Sequence, residues 1–255
     1  MSPTWFRKDI DPGTIITLDQ PETSKWKVVK RLNEYDHQLD EDRHRLGFHL
    51  SFACTKLLCC DPEDDTKLAF MRIYLQVPFR GTEMDDARTR ASQAMKRTPQ
   101  ELIAYQDLTQ KSSNTPKLLG HKTTVQGKSG LVPGGFAVWL VWEMVPGLRL
   151  GNKNGPDAFW TLGDSEREEI RVSFMKTFAE MREVGYLPDK TALSSLVWHK
   201  DSNTLYFIGF RDCNFGQPKG PVVAAKWVAH YGLAIPNSNE WLKKGWNQDT
   251  SAWKW

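Results

Sequence analysis

Residues 193–213 read LSSLVWHKDSNTLYFIGFRDC and form the most distinctive stretch of the chain. Two short apolar runs, LVW and LYFIGF, flank the polar segment HKDSNT. Apolar runs rich in β-branched and aromatic residues, separated by polar turn residues, are typical of a β-hairpin. The stretch therefore predicts two short strands joined by a turn.

The residues before the hairpin predict one long helix, over residues 165–184. Its apolar positions recur at helical spacing and form one stripe: Ile170, Phe174, Phe178 and Met181. Asp164 is a suitable N-cap for this helix, and Gly185 is expected to end it in the left-handed conformation.

After the hairpin, a linker rich in Pro and Gly leads to a C-terminal tail that is crowded with tryptophan. The tail contains Trp227, Trp241, Trp246, Trp253 and Trp255. Exposed indoles forgo burial energy, so we expect the tail to pack against the body of the protein.

The first half of the chain predicts five β-strands and one helix. The β-prone runs occupy residues 25–31, 46–58, 68–77, 117–125 and 136–144. Thr98 as N-cap and Pro99 at the first position predict a helix through the run ELIAYQDLTQ. Between the third strand and this helix, the charged residues 81–97 predict a partly helical insertion.

The composition is ordinary for a folded protein of 255 residues, with 40% hydrophobic and 25% charged residues. A net charge of +3 supplies no field that would imply a nucleic-acid or membrane partner. No apolar run approaches the roughly 18 residues of a membrane span, and the N-terminus lacks the apolar segment of a secretory signal. Cys54, Cys59, Cys60 and Cys213 form no C-x-x-C pair, so we expect buried free thiols in a cytoplasmic protein.

Three runs carry a resemblance to a known family: TPKLLGHKT at residues 115–123, SGLVPGGF at 129–136 and WEMVPGLRL at 142–150. They resemble a group of fungal protein-kinase-like proteins that are related to the aminoglycoside and choline phosphotransferases. The resemblance implies an α+β, kinase-like bilobal fold. Residues 1–145 would form an N-lobe with a five-stranded antiparallel sheet and one helix, and residues 146–255 a mainly helical C-lobe.

At the positions where this family grips nucleotide phosphates, the chain departs from the family pattern. The lysine of the third strand, in the wording M-K-I, corresponds to Arg72, and its partner acid corresponds to Glu101. Arginine keeps the charge but presents a planar fork in place of a compact ammonium. An Arg72–Glu101 ion pair that only ties strand to helix is one interpretation, and a contact to a ligand is the other. Between the first two strands, residues 31–45 are acidic and glycine-free, which disfavours a triphosphate.

The residues at the catalytic motif depart further from the family pattern. Counting back from LVW, the asparagine of the family corresponds to Ser195 and its catalytic base to Lys190, with Asp189 one residue earlier. The metal-binding aspartate of the family corresponds to Gly209, which has no side chain to hold a cation. Asp212 matches a second acid of the family. Asp189, Lys190 and Asp212 are therefore the polar candidates for catalysis.

We expect no phosphotransfer, no metal and no cofactor. The preferred interpretation is an inter-lobe cleft that binds a small organic molecule and is lined by Arg72, Glu101, Trp142, Glu143, Ser195, Gly209 and Phe210. Such a site would serve binding alone, or a cyclisation or isomerisation in fungal secondary metabolism. The alternatives are a pseudokinase scaffold that binds a protein partner and an ATP-dependent small-molecule phosphotransferase with relocated residues.

Overall fold

The structure is a computed structural model of the chain, and it describes residues 4–6, 10–46, 51–152, 155–188, 191–216 and 222–255. The strands are β1 (Ile15–Leu18), β2 (Ser24–His37), β3 (Phe52–Cys60), β4 (Leu68–Gln76), β5 (Leu118–Val125), β6 (Phe136–Glu143), β7 (Leu148–Arg149), β8 (Tyr186–Pro188), β9 (Leu196–His199), β10 (Thr204–Phe207) and β11 (Cys213–Phe215). The α-helices are α1 (Glu41–Arg45), α2 (Ala87–Ala91), α3 (Gln100–Lys111), α4 (Asp164–Val184) and α5 (Ala224–His230).

The chain divides into two compact units. The first consists of Met1–Ile103 and Lys117–Met144, and the second of Ala104–Pro116 and Val145–Trp255. The fold is mixed α/β, and its N-terminal region is an antiparallel sheet, which is compatible with the kinase-like order that the sequence predicts.

The first unit is built on six strands in the order β1-β2-β3-β4-β6-β5. All neighbouring pairs are antiparallel. The prediction of five strands was wrong by one, because the four residues of β1 are too few to show an alternating pattern. Within the charged insertion, Asp86 caps the short helix α2 by accepting from the backbone of Arg88 and Thr89.

The two faces of this sheet differ in chemistry, because successive residues of a strand point to opposite faces. One face is the hydrophobic core, formed by Ala53, Leu57, Ala69, Met71, Ile73 and Val141, with Phe6 and Ile10 packed on it. The other face carries Arg72 of β4, which pairs in register with Lys56 of β3 and Leu140 of β6. We call the side chains of Lys56, Phe70, Arg72, Tyr74 and Trp142 the Arg72 face.

The second unit contains α4, which confirms the long predicted helix. Its stripe of Ile170, Phe174, Phe178 and Met181 is fully buried. Gly185 ends the helix with φ 84° and donates its backbone N–H to the carbonyl of Met181, as predicted. The predicted N-cap was wrong by one residue, since Gly163 is the N-cap and Asp164 is the first helical residue.

The predicted hairpin is present as β9 and β10, which pair antiparallel, for example Trp198 with Leu205. Its second strand ends at Phe207, so Gly209 lies beyond it. Strand β7 joins β9 on the other side, and β8 and β11 form a separate two-stranded sheet. Helices therefore share the C-terminal half with five short strands, and a mainly helical lobe is not clearly present in its described residues.

The C-terminal tail packs within the second unit, as the sequence predicts. The indoles of Trp246 and Trp253 are stacked with centroids 5.3 Å apart, and Trp255 lies 5.9 Å beyond Trp253. Lys226 lies 5.8 Å from the ring of Trp246, and Arg171 lies 5.3 Å from the ring of Trp255. The result is a column of three indoles with a cation at each end.

All four cysteines are buried free thiols, which confirms that part of the prediction. Among the residues that the structure describes, none of the helices has both the length and the apolar character needed to span a bilayer.

Candidate functional site

A buried charged cluster lies on the Arg72 face. Arg72 Nη1 donates to Glu101 Oε1 at 2.6 Å, and the Tyr74 hydroxyl donates to Glu101 Oε2 at 2.8 Å. The residue exposures are 9% for Arg72, 4% for Tyr74 and 1% for Glu101. Strand β4 puts Arg72 and Tyr74 on one face because they are two residues apart, and the first turn of α3 supplies Glu101.

Charge and burial fix the protonation of this cluster. Burial by itself disfavours the charged form of Arg72, but the carboxylate of Glu101, aided by Tyr74, outweighs it and raises the pKa of the guanidinium. Burial and then the charge of Glu101 raise the pKa of Tyr74 well above its ordinary value. Tyr74 therefore stays a neutral donor and Arg72 stays a cation.

Aromatic rings and a second cation surround the cluster. Lys56 Nζ lies 3.6 Å from the ring centroid of Phe70 and 5.5 Å from that of Trp142. Arg72 Cζ lies 5.4 Å from the Trp142 ring, and the rings of Phe70 and Trp142 are 6.1 Å apart. Cations over ring faces are attracted by the ring quadrupole. The face therefore combines positive charge with flat apolar surface, which suits planar organic groups.

Glu143, predicted for the same site as Trp142, points elsewhere. It pairs in register with Ala69, whose side chain belongs to the hydrophobic core, so its side chain leaves the sheet on the side opposite to Trp142. Its Oε2 accepts from the backbone N–H of Lys117 at 3.3 Å, and its own N–H donates to the Lys117 carbonyl at 2.9 Å. Glu143 therefore joins the end of β6 to the start of β5.

In the second unit, Ser195 and Gly209 are neighbours. The backbone N–H of Ile208 donates to the carbonyl of Ser195 at 2.9 Å. Gly209 has φ 91°, and a Cβ placed on it would lie 3.9 Å from Ser195 Oγ, an ordinary contact. The position thus has room for a side chain, but its backbone conformation disfavours one.

Phe210 is fully buried, and its ring makes a T-shaped contact with the ring of Tyr105 at a centroid distance of 5.6 Å. It therefore packs in the interior of the second unit.

The catalytic candidates are placed as follows. Asp212 Oδ2 accepts from Arg211 Nη2 at 2.7 Å and from Arg211 Nε at 3.0 Å, and its side chain is 51% exposed. Asp189 and Lys190 lie outside the described residues. Within the described part of the chain, no group of three His, Cys, Asp or Glu residues is positioned to hold a metal ion.

Sequence reasoning missed three members of the Arg72 face, namely Lys56, Phe70 and Tyr74. Phe70 and Tyr74 could have been found, because each is two residues from Arg72 in the same predicted strand and so shares its face. Lys56 could not, because its place beside Arg72 depends on the register of β3 against β4.

No protein-family model matches this chain, and no curated protein matches it. Among solved structures, it is similar to PK-1, a kinase of Cydia pomonella granulovirus, with a TM-score of 0.43 and 13% identity over 77% of this chain. The match covers 55% of the viral kinase. A likeness at this level carries no inference about activity, and the fungal phosphotransferase-like family that the sequence resembles remains a prediction.

Proposed function

We propose that this chain is a catalytically degenerate kinase-like protein that transfers no phosphate and that binds a small organic molecule at its Arg72 face. The observation that carries the proposal is the arrangement of two cations and two aromatic rings on one face of the sheet. The buried carboxylate of Glu101 supports this arrangement from α3.

The chemistry of the Arg72 face favours a flat ligand with an anionic or hydrogen-bond-accepting group. Lys56 and Phe70 are partly exposed and would supply the accessible surface, while Arg72 and Trp142 are buried and hold it in place. An ammonium beside a ring binds a carboxylate or a carbonyl oxygen by a charge-assisted hydrogen bond. The partly exposed ring of Phe70 would stack on a conjugated system.

Phosphoryl transfer needs a positioned metal ion and charges arranged around the transferred group. By the resemblance, Gly209 stands where the metal-binding aspartate would be, and glycine offers no ligand atom in a side chain. Asp212, the second acid, is held in a local pair with Arg211. These features support a site whose phosphotransfer chemistry has been lost.

A bound molecule would be oriented by charge at one end and by stacking along its plane. Orientation alone supplies several kcal/mol toward an intramolecular reaction. A cyclisation or an isomerisation, which needs shape and one or two polar groups, is the reaction class that such a site could promote.

Native mass spectrometry of the freshly purified full chain tests the binding proposal. We expect a non-covalent small-molecule adduct that is lost in Lys56→Met and in the double variant Arg72→Met/Glu101→Gln, which removes both buried charges and keeps an acceptor for Tyr74. Lys122→Met is the matched control, because Lys122 lies 5.9 Å from a tryptophan ring, that of Trp139, elsewhere on the same sheet. An adduct that survives both site variants, or no adduct in the unmodified chain, would overturn the proposal.

A thermal-unfolding series with ATP and magnesium tests the loss of phosphotransfer. Binding at one hundred times Kd would add about 2.7 kcal/mol, or roughly 5–10 °C in Tm for a chain of this size. We expect no such rise. A rise of that size that disappears in Asp212→Ala would restore the phosphotransferase interpretation.

A further inference from the structure

A groove lies entirely within the second unit, between α4 and the turn that joins β9 to β10. Its volume is about 680 Å³, which is within the range of ligand sites. Its lining includes Glu169, Val172 and Lys176 of α4 and Ser202, Asn203 and Thr204 at the turn. Most of the lining residues are polar by type, but the groove also exposes apolar surface, for example that of Val172. The lining contains no residue of the Arg72 face.

The helical wall of the groove presents three exposed side chains in a row. Glu169, Val172 and Lys176 are spaced by three and four residues, so they lie on one side of α4. Their Cα atoms span about 10.5 Å along the helix axis, at about 1.5 Å per residue. Val172 is 65% exposed. Among the described residues, the side chains of Glu169 and Lys176 make no ion pair or hydrogen bond, whereas the neighbouring Glu168 pairs with Arg171 and Glu166 pairs with Lys200. This wall therefore offers an unpaired negative charge, an apolar surface and an unpaired positive charge, in that order.

The opposite wall is a polar turn held in one conformation. Ser202 Oγ lies 2.7 Å from Nδ1 of His199 and donates to Thr204 Oγ1 at 2.9 Å. Asn203, in the left-handed region with φ 51°, projects from the same turn. The amide of Asn203 can both donate to and accept from the backbone of a bound chain. The hydroxyls of Ser202 and Thr204 already donate within the turn and can only accept.

Negative charge is in excess at the Glu169 end. Glu166, Glu169 and Asp201 all act on the ammonium of Lys200, and only Glu166 pairs with it, at 2.8 Å. The carboxylates of Glu169 and Asp201 are left without a cation of their own among the described residues. This end of the groove therefore favours a positively charged group.

We propose that this groove docks an extended peptide segment of a protein partner, with a basic, an apolar and an acidic side chain at alternate positions. In an extended chain, alternate side chains point the same way and lie about 6.8 Å apart, so three of them span about 13.6 Å. This span is longer than that of the row from Glu169 to Lys176. The basic and acidic side chains of the peptide are long enough to lean toward each other and reach the two charges. The basic group would meet Glu169, the apolar one would cover Val172, and the acidic one would meet Lys176. This site is separate from the proposed small-molecule site.

Fluorescence polarisation with labelled peptides and the full chain tests the docking proposal. The probes are GRSLSEG, which carries one charge of each sign, GESLSEG, which carries two negative charges, and GRSLSRG, which carries two positive charges. The unmodified chain should bind GRSLSEG at least about tenfold more tightly than the other two. Glu169→Lys should transfer that preference to GESLSEG, and Lys176→Glu should transfer it to GRSLSRG. This pattern does not depend on the direction in which the peptide lies.

Two further variants complete the test. Val172→Ser should weaken the binding of the preferred peptide about tenfold. Glu183→Lys makes the same charge change on α4 outside the groove and should leave the preference unaltered. The proposal is overturned if the preference does not follow the two charge changes, if Glu183→Lys shifts it equally, or if none of the peptides binds at millimolar concentration. It is also overturned if sedimentation shows self-association that Val172→Ser removes, because a second copy of the chain would then occupy the groove.

Discussion

Two arginine–carboxylate pairs have almost the same geometry and different surroundings. Arg72 and Glu101 are 2.6 Å apart, with side chains 10% and 1% exposed. Arg211 and Asp212 are 2.7 Å apart, with side chains 26% and 51% exposed. Distance alone would rank the two pairs as equal, so burial is what separates a structural site from a surface contact.

The physical reason is desolvation. Removing one partner of a buried pair leaves a charge that neither water nor protein compensates, whereas water solvates the remaining partner of an exposed pair. In the first unit, Glu101 also accepts from Tyr74, so three groups depend on one another. Asp212 is adjacent to its partner Arg211 in sequence, so the ion pair needs no tertiary packing to form and adds little to the stability of the fold.

The largest effect is expected from Arg72→Met. Glu101 would keep only Tyr74 as a partner, and the free energy of unfolding should fall by about 3–5 kcal/mol. Urea denaturation measures the change. Arg80→Met, at an exposed arginine of the same unit, is the control and should change stability by no more than about 0.5 kcal/mol.

The double variant Arg72→Met/Glu101→Gln sharpens the interpretation, because it removes both charges. It should recover most of the lost stability, since replacing a whole buried pair is often close to neutral. A double variant as unstable as Arg72→Met would show that packing of the arginine stem, rather than the unpaired carboxylate, sets the cost.

Tyr74→Phe should have the next largest effect. It removes a hydrogen bond to a buried carboxylate, and such bonds contribute about 1.5–3 kcal/mol. Chemical denaturation measures the loss in free energy of unfolding. Tyr35→Phe, at a tyrosine that is 41% exposed, is measured for comparison. Equal losses at the two sites would contradict the central place of Glu101 in the cluster.

Gly209→Ala tests the position in the second unit where, by the resemblance, the family has its metal-binding aspartate. The φ of 91° should make any L side chain cost about 1–2 kcal/mol, even though a Cβ there would make only an ordinary contact, 3.9 Å from Ser195 Oγ. Gly127→Ala is the control, because a Cβ there meets nothing within 4 Å and the backbone is not left-handed. A neutral Gly209→Ala, by thermal and urea unfolding, would show that the turn relaxes readily.

The smallest effect is expected from Asp212→Ala. The exposed pair with Arg211 should contribute about 0–1 kcal/mol, and the difference should shrink in about 1 M salt, where the screening length is about 3 Å. Unfolding curves at low and high salt test this. A loss above 2 kcal/mol that salt does not reduce would place Asp212 in a buried network.

Much of the fold could be predicted because local patterns reflect it. The helical spacing of the apolar residues from Ile170 to Met181 predicted α4. Gly185 marked its end, because the left-handed conformation there is unstrained only for glycine. The β-prone residues of β4 predicted that strand equally well, whereas the four residues of β1 did not predict a strand. The start of α4 was misplaced by one residue because Gly163 has no side-chain signal, and it caps the helix with its backbone alone.

The candidate site was predictable only in part. The resemblance supplied Arg72 and Glu101, and the structure pairs them. Trp142 joins them, whereas Glu143 leaves the sheet on the other side, since adjacent residues of a strand cannot share a face. The groove beside α4 had no sequence signal, because its two walls come from segments about thirty residues apart.

The sequence by itself determined the order of the longer strands and helices, such as β4, α3 and α4, and the absence of a side chain at position 209. These properties are local, so they follow from residue type and spacing. Only the tertiary structure decided that Lys56 lies beside Arg72, that Glu101 is desolvated while Asp212 remains in water, and that the charges of α4 face a polar turn. Register, burial and the meeting of distant segments arise from packing of the whole chain, and no single stretch of residues encodes them.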